Sequence, residues 1–182
     1  MNSIKIPSLG ECEALLLEHN VPENVLAHSE AVRKVADFLA RHMKGNGVNV
    51  DLDLVDAAAR VHDLMKIECL GQDHMHGIEA KRVLAEKGYP EFGEILKQHG
   101  LDEVLKFGKG TPFEAKILWY ADKRVNHDKI VSLNERFAYL KERYGSKSEA
   151  KLKEILSTEK PAFALEKELL KMAKVNEDLK GL

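Results

Sequence analysis

The sequence carries helix start and stop signals from end to end, and these signals constrain the fold more than any other feature. The capping box that begins a helix, a Ser or Thr followed three residues later by Glu, occurs at Ser8, Thr111 and Ser132. Gly45-Asn46-Gly47 and Gly88 are typical of helix ends. Apolar and polar residues do not alternate over any stretch long enough to indicate a strand. We therefore expect an all-α fold.

Between these signals, apolar residues recur every three to four positions, which is the spacing of helices with one buried face. Thr111 with Pro112 marks the strongest helix start, and Pro161 is expected to open a separate final helix after a charged one. The expected helices cover about residues 8–19, 22–45, 51–64, 76–88, 91–100, 111–125, 132–145, 149–157 and 161–175.

Length and charge limit the class of protein. A chain of 182 residues fits one globular domain, which we expect to cover residues 1–182. The 28 Lys and Arg against 30 Asp and Glu leave a net charge of -2, which gives no field that attracts nucleic acid or an anionic membrane. The amino terminus lacks a signal-peptide pattern, and no apolar run is long enough to span a membrane. Cys12 and Cys69 are then free thiols, and we expect a cytoplasmic protein.

His62-Asp63 is the first candidate for chemistry. The same dipeptide recurs at His127-Asp128, so chance alone can produce it. His62-Asp63, however, ends a very apolar helix, where two buried polar side chains without partners would cost about 1–3 kcal/mol each. Neutral imidazole and ionised carboxylate are both ligands of divalent metal ions, and a bound ion would remove this cost. The dipeptide therefore indicates part of a metal site.

His28 and Asp122 have the same character. His28 interrupts the apolar stripe of its helix, and Asp122 lies within the largely apolar segment ILWYADKRV. With His62 and Asp63 they would make a site of two nitrogens and two oxygens, which suits Mn, Fe, Co, Ni or Zn. Each residue by itself could instead be a core polar residue with ordinary hydrogen bonds. Four of them on three separate helical segments favour the metal site.

This pattern, with His28, then His62-Asp63 within AARVHDLMK, then Asp122, resembles the HD-domain superfamily of metal-dependent phosphohydrolases. The resemblance spans about residues 22–145. It implies a single-domain HD-type helical bundle and a divalent metal ion, one or two of Mn, Fe, Co, Ni, Zn or Mg, held by these four residues. It also implies that a metal-activated water hydrolyses a phosphate ester or anhydride, with a nucleotide or dinucleotide as the expected substrate.

His76 and His99 lie between the HD pair and Asp122, where superfamily members with two metals carry further histidines. The resemblance therefore implies a second ion, with Asp63 bridging the two. The alternative is that each histidine lies at the surface or at a helix end, and His74 competes with His76 for the same role. The histidines expected at the surface are His19, His42 and His127.

Lys66 resembles the lysine of the superfamily's HD-x-x-K variant, and Asp63 and Lys66 are the expected catalytic residues. One helical turn beyond His62, Lys66 could bind a phosphate oxygen and stabilise the charge that develops in phosphoryl transfer. The alternative is a solvated lysine at a helix C-terminus. Weaker candidates for phosphate contact, each with a solvated charge as its alternative, are Arg33, Lys123 and Arg124.

Gly88-Tyr89-Pro90 spells the tripeptide of the HD-GYP cyclic-dinucleotide phosphodiesterases. In that family the tripeptide follows a His-His-Glu segment, whereas here it precedes His99, and Gly100-Leu101 comes next. A helix stop made of Gly and Pro explains the tripeptide. We therefore do not expect the activity of that subfamily, although another phosphodiester substrate stays open.

These patterns together predict a hydrolase of a small-molecule phosphate, with no nucleic-acid or membrane partner. Two other functions stay open. One is a catalytically idle HD module that binds a nucleotide or metal and signals, and the other is a di-iron oxygenase on the same framework. Residues 146–182, with helical spacing and mixed charge, are expected to pack on the core or to mediate a homodimer.

Overall fold

The protein is mostly helical, as expected from the sequence. The computed structural model describes residues 4–72 and 75–182, so His74, the alternative to His76, lies outside the described residues. Two 3₁₀ segments, Leu101–Lys106 and Gly145–Lys147, connect helices. The α-helices are α1 (Leu9–Glu18), α2 (Glu23–Gly45), α3 (Leu52–Val61), α4 (Met75–Glu86), α5 (Pro90–Lys97), α6 (Phe113–Lys123), α7 (Leu133–Arg143) and α8 (Glu149–Ala173).

Local signals explain several helix ends. Ser8 and Ser132 each form the expected capping box, in which the serine side chain and the following glutamate satisfy each other's backbone N–H groups. Gly88 follows α4 with a φ of 88°, in the left-handed region that glycine adopts most easily. Pro90 then begins α5. The segment Gly88-Tyr89-Pro90 is thus a helix stop followed by a helix start.

The expected capping box at Thr111 is wrong. Pro112 is the N-cap of α6, and no side chain caps this helix. The Thr111 hydroxyl instead accepts a hydrogen bond from the N–H of Gly108 at 3.0 Å, and Glu114 accepts one from the N–H of Asp51 at 2.8 Å. Both side chains therefore have partners elsewhere in the fold, and the local box does not form.

The expected break at Pro161 is also wrong, because α8 continues through the proline. A proline inside a helix costs about 3 kcal/mol. Burying one leucine or isoleucine side chain contributes about 1.5–3 kcal/mol, so the continuous packing of α8 outweighs that cost. The residues that keep one face of α8 buried on both sides of the proline are Ile155, Thr158, Ala162, Leu165 and Leu169.

A short hairpin follows α6. Val125–Asn126 (β1) pairs antiparallel with Lys129–Ile130 (β2), and His127 at the turn has a φ of 54°. The sequence predicted no strand here, because two residues are too few to show alternation. Both strands pack on α2, and this contact brings the turn of the hairpin to His28.

Helix α2 lies at the centre of the packing, with α3, α6 and α8 against it. Helices α4 and α5 pack on each other, and α5 joins this pair to α3 and α6. Helix α8 packs on α2, α6 and α7, which is the first of the two roles expected for residues 146–182, while a homodimer stays a prediction. Within residues 4–72 and 75–182, no helix combines the length and apolar character needed to cross a membrane.

Candidate metal centre

The HD pair lies in the turn that follows α3. This helix ends at Val61, and both His62 and Asp63 are buried directly after it. Nδ1 of His62 lies 2.9 Å from the carbonyl oxygen of Ala59, and the N–H of Lys66 donates to the carbonyl of Asp63 at 3.0 Å. The chain after α3 therefore continues in tight turns, and these turns keep the pair beneath the surface.

Three imidazole rings of the centre are oriented in the same way. Nδ1 of His28 lies 2.6 Å from the carbonyl oxygen of His127, and Nδ1 of His99 lies 2.5 Å from that of Leu96. Because a carbonyl oxygen only accepts, Nδ1 carries the proton in these two rings and in His62. In a neutral ring Nε2 then presents its lone pair to the centre. Metal-binding histidines are commonly oriented by such a second hydrogen bond.

His28, His62 and Asp122 form the first group of potential ligand atoms. Nε2 of His28 lies 3.0 Å from Oδ1 of Asp122, and Nε2 of His62 lies 3.8 Å from the same oxygen. Two ligand atoms that each bind one ion at about 2.1 Å lie about 3–4 Å apart. The first group therefore has the spacing of ligands around a single ion.

Asp63, His76 and His99 form the second group of potential ligand atoms. Nε2 of His76, on α4, lies 2.8 Å from Nε2 of His99, which follows α5. Oδ1 of Asp63 lies 3.7 Å from the first of these nitrogens and 3.8 Å from the second. The α4–α5 pair thus brings both of its histidines to the HD pair.

Asp63 lies between the two groups. Its Oδ1 faces the second group, whereas its Oδ2 lies 3.4 Å from Nε2 of His62 and 3.7 Å from Nε2 of His28. The two oxygens of this carboxylate therefore face different groups of potential ligand atoms. Nε2 of His62 is also buried and has no hydrogen-bond partner within the described part of the chain. A bound ion would satisfy this atom, so the residues present fit a metal.

Both buried carboxylates are ionised at neutral pH. Burial by itself would raise the pKa of Asp63, but the nearby charge of His62 holds it well below its usual range. Burial would likewise raise the pKa of Asp122, and the charge of Lys123 together with the hydrogen bond to His28 keeps it low. Buried charges in proteins are paired with opposite charges or coordinate metal ions, and ionised carboxylates are suited to both.

The two histidines of the second group are neutral. Burial lowers the pKa of His76 and brings that of His99 to about 3. A neutral imidazole keeps a lone pair, which is the form that binds metal. Burial would lower the pKa of His62 as well, but the charges of Asp63 and Asp122 raise it.

The amino-acid sequence matches the model of a known family. The model of the HD domain matches residues 25–138, which is more than half of the chain. This chain belongs to the HD domain family. It is 28% identical over 153 residues to an uncharacterized protein of Methanocaldococcus jannaschii, covering 78% of this chain and 89% of that protein. It is also 28% identical over 142 residues to a tRNA (cytidine(56)-2'-O)-methyltransferase of Picrophilus torridus, covering 71% of this chain but only 40% of that relative. No solved structure matches.

A cavity of about 400 Å³ lies beside Asp63 of the HD pair. Asp63 and Asp122 lie on its wall together with His76 and His99, so both ligand groups face it. Nζ of Lys66, also on the wall, donates to Oδ2 of Asp63 at 2.6 Å. The side chain of Lys66 is 43% exposed, so its ammonium group lies at the border between the buried centre and the cavity.

Lys123 is buried and hydrogen-bonds to one residue of each ligand group. Its buried Nζ donates to Oδ2 of Asp122 and, at 2.9 Å, to the backbone carbonyl of His99. The same ammonium group lies 5.3 Å from the centre of the Trp119 ring. Lys123 therefore positions one ligand from each group, a role that the sequence did not suggest. Its contact with a substrate phosphate stays a prediction.

The structure does not bring Arg33 and Arg124 to the cavity. Arg33 pairs with Glu30 at 2.7 Å and with Asp56 at 3.1 Å. Arg124 is buried and donates to the backbone carbonyl of Glu177 at 2.8 Å. Both guanidinium groups pair with protein groups and neither residue lines this cavity, so their contact with a substrate phosphate stays a prediction.

The sequence did not single out several groups that orient or surround the centre. The carbonyl of His127 orients His28, although the ring of His127 is exposed as expected. Three residues of α7 and its end line the cavity, namely Arg136, Leu140 and Tyr144. A charged or aromatic residue on an amphipathic helix is common, so no local signal marked them.

The remaining histidines lie elsewhere. His42 is exposed, as expected, and its Nδ1 lies 2.8 Å from the carbonyl oxygen of Phe38. His19 is only partly exposed, because its ring packs beside Glu68 with Nδ1 2.6 Å from a carboxylate oxygen. Neither residue belongs to a ligand group.

Proposed function

We propose that this protein is a metal-dependent phosphohydrolase that cleaves a phosphate ester or anhydride of a nucleotide or dinucleotide. One observation carries the proposal. Two groups of potential metal-ligand atoms lie on either side of Asp63, and Asp63, Asp122, His76 and His99 line a cavity whose wall also includes Lys66 and Arg136. Metal ions bound by these atoms, together with the ammonium group of Lys66 and the guanidinium group of Arg136, would attract an anionic phosphate.

We infer that the first group holds one divalent ion and the second group another, with Asp63 shared between them. When bound, the ions supply a Lewis acid and a water of lowered pKa next to the phosphorus atom. A set of imidazole nitrogens with carboxylate oxygens suits Mn, Fe, Co, Ni or Zn better than Mg, which prefers oxygen ligands.

Two lysines of the centre serve different purposes in this proposal. Lys66 is placed at the cavity surface, where its ammonium can bind a phosphate oxygen and stabilise the charge that develops as the ester bond breaks. Lys123 is buried and keeps Asp122 and His99 in position through its two hydrogen bonds. We therefore assign catalysis to Asp63 and Lys66, and positioning to Lys123.

The lining of the cavity favours a nucleotide over a small phosphate. Away from the ligand atoms, the wall is largely apolar and includes Leu70, Leu101, Leu140 and Tyr144. A nucleotide has a charged phosphate at one end and a flat, weakly polar base at the other, so it would use both parts of this wall.

Phosphate release tests the proposal. Metal-free protein is reconstituted with Mn²⁺, Co²⁺, Zn²⁺ or Mg²⁺ and given nucleoside mono-, di- and triphosphates and dinucleotides. We expect metal-dependent release of phosphate, or of mononucleotide from a dinucleotide. Asp63→Asn should abolish this release, and Asp128→Asn, at an exposed carboxylate, should preserve it.

Three results would contradict the proposal. Metal-loaded protein that cleaves none of these compounds is not the proposed hydrolase. Binding of a nucleotide without cleavage would indicate the idle signalling module. Oxygen consumption by iron-loaded protein, without release of phosphate, would indicate the di-iron oxygenase.

A further inference from the structure

Helix α7 presents one face to the cavity. Arg136 and Leu140 on α7 and Tyr144, which directly follows it, are spaced four residues apart, so they lie along one side of the helix and its end, and all three line the cavity beside Asp63 and Lys66. Eight residues of helix rise by about 12 Å. The face therefore offers a cation at one end, an aromatic ring at the other and an apolar side chain between them.

Arg136 differs from the other arginines near the HD core. Its Nη1 donates to the side-chain oxygen of Asn126 at 2.6 Å, and its guanidinium carbon lies 5.8 Å from the centre of the Tyr139 ring. Its Nε is buried without a hydrogen-bond partner, and no carboxylate pairs with it, among the residues that the structure describes. Arg33, by contrast, pairs with two carboxylates. Arg136 is thus a positioned cation whose charge is not neutralised by an acidic side chain of the described chain.

The other end of this face is apolar. The residue at its end, Tyr144, is 42% exposed, and Leu70 nearby on the wall is 71% exposed. Large apolar side chains that stay this exposed beside a cavity are suited to cover a ligand. An aromatic ring stacks on a nucleic-acid base without requiring a particular base.

We propose that α7 is the substrate-recognition helix of this enzyme, with Arg136 binding the phosphate side of a nucleotide and Tyr144 stacking on its base. This inference rests on the proposed function, because it assigns the substrate of the same site. Arg136 acts by binding the anion, whereas Lys66 lies directly beside Asp63. The two cations therefore approach the phosphate from different elements of the fold.

Binding of two matched probes tests the inference without relying on turnover. The probes are the methylene phosphonate analogues of adenosine 5'-monophosphate and of ribose 5-phosphate, which differ only in the base and resist hydrolysis. Their dissociation constants are measured by calorimetry on metal-loaded wild type, Arg136→Ala, Tyr144→Ala and Tyr144→Phe. Arg41→Ala, at an exposed arginine that pairs with Asp37, is the matched control.

We expect Arg136→Ala to weaken both probes by about ten- to a hundredfold, which is the range for losing a hydrogen bond to a charged group. Tyr144→Ala should weaken only the adenosine probe, by about five- to a hundredfold, because base stacking is lost. Tyr144→Phe should restore that affinity, and Arg41→Ala should leave both probes unchanged. A merely structural role for Tyr144 would affect the two probes alike.

The two proposals fail in different ways. If wild type releases phosphate from nucleotides but Arg136→Ala and Tyr144→Ala bind both probes as wild type does, the inference on α7 is wrong and the proposed function stands. If wild type binds the adenosine probe more tightly than the ribose probe through these residues but cleaves no phosphate compound, α7 recognises nucleotides and the proposed hydrolase is wrong. Because Tyr144 is substantially exposed, its variants should fold and decide the matter even if Arg136→Ala does not.

Discussion

Gly93 sets how closely α5 packs on α4, and replacing it with alanine perturbs the second ligand group through the fold. A Cβ atom at Gly93 would lie 3.0 Å from both the Cα and the carbonyl oxygen of Lys81, and 3.4 Å from Cβ of Leu84. Carbon atoms in contact ordinarily lie about 3.5–4.0 Å apart, so the two helices would have to separate by about 0.5 Å. His76 belongs to α4 and His99 follows α5, so the two histidines would move apart when the helices separate.

The magnitude follows from a comparison with Gly10, which lies in α1, where an added Cβ atom would meet no other atom within 4 Å. Alanine in place of glycine gains about 0.5–1 kcal/mol in either helix, and this gain cancels between Gly10→Ala and Gly93→Ala. Overpacking at Gly93 costs about 1–3 kcal/mol. The free energy of unfolding of Gly93→Ala should therefore be about 1–3 kcal/mol below that of Gly10→Ala, which lowers Tm by about 2–12 °C in a domain of this size.

Urea unfolding of the metal-free proteins measures this difference, and titration of each variant with Mn²⁺ measures the site. We expect Gly93→Ala to bind the second ion more weakly than Gly10→Ala does, while the first ion is unaffected. Equal free energies of unfolding together with equal binding of the second ion would refute the reasoning, since α4 and α5 would then not depend on the close contact at Gly93.

Three further predictions concern single side chains. Lys66→Ala should keep the bound metal and lower kcat by about a hundred- to a thousandfold, whereas Lys129→Ala, at an exposed lysine, should change neither; an equal kcat in both would remove Lys66 from the mechanism. His76→Ala and His99→Ala should each lower the metal content found by elemental analysis from two ions per chain towards one, and unchanged content would contradict the second site. Hydrogen bonds from a serine and a tyrosine hydroxyl lower the pKa of Glu11 from 4.5 to about 2. A carboxyl group whose pKa is lowered in the folded protein stabilises the fold at pH values above its ordinary pKa, and this stabilisation is lost as the pH falls towards the lowered pKa. The Tm of wild type should therefore exceed that of Glu11→Gln at neutral pH, and the difference should disappear as the pH falls from about 4.5 to about 2. A difference in Tm that stays constant over this range would contradict the prediction.

His28 and Asp122 could be predicted as candidate ligands from the sequence because each interrupts an apolar pattern, whereas His76 and His99 were expected only from the family resemblance. His28 lies in the buried stripe of α2, and Asp122 lies among buried residues of α6. A polar side chain at such a position needs a partner, and this rule depends only on the local pattern. The structure brings these two residues within 3.0 Å of each other. Their role as metal ligands stays a prediction.

Arg33 and Arg136 show where local patterns are insufficient. Arg33 follows His28 by five residues on α2, which places it about 140° away around the helix, and its side chain meets carboxylates there rather than the cavity. Arg136 lies on another helix, and only the packing of α7 places it on the cavity wall. Such placement depends on contacts between distant segments, which helix spacing does not encode.

The predictions of a helix cap at Thr111 and of a helix break at Pro161 were wrong for a related reason. Both carry strong local signals, a helix cap and a helix break, but each signal competes with contacts elsewhere in the fold. The partner of Thr111 is the N–H of Gly108, and the buried face of α8 continues past the proline. Local free energies of about 1–3 kcal/mol are easily outweighed by such packing.

Anomalous diffraction from crystals grown with Mn²⁺ tests the central claim most directly, because it locates each ion independently of any activity. We predict two peaks about 3.5–4 Å apart, with the carboxylate of Asp63 between them. One peak should lie among His28, His62 and Asp122, and the other beside His76 and His99. A single peak, no peak, or peaks that leave Asp63 without a bound ion would contradict the account of a bridged two-metal centre.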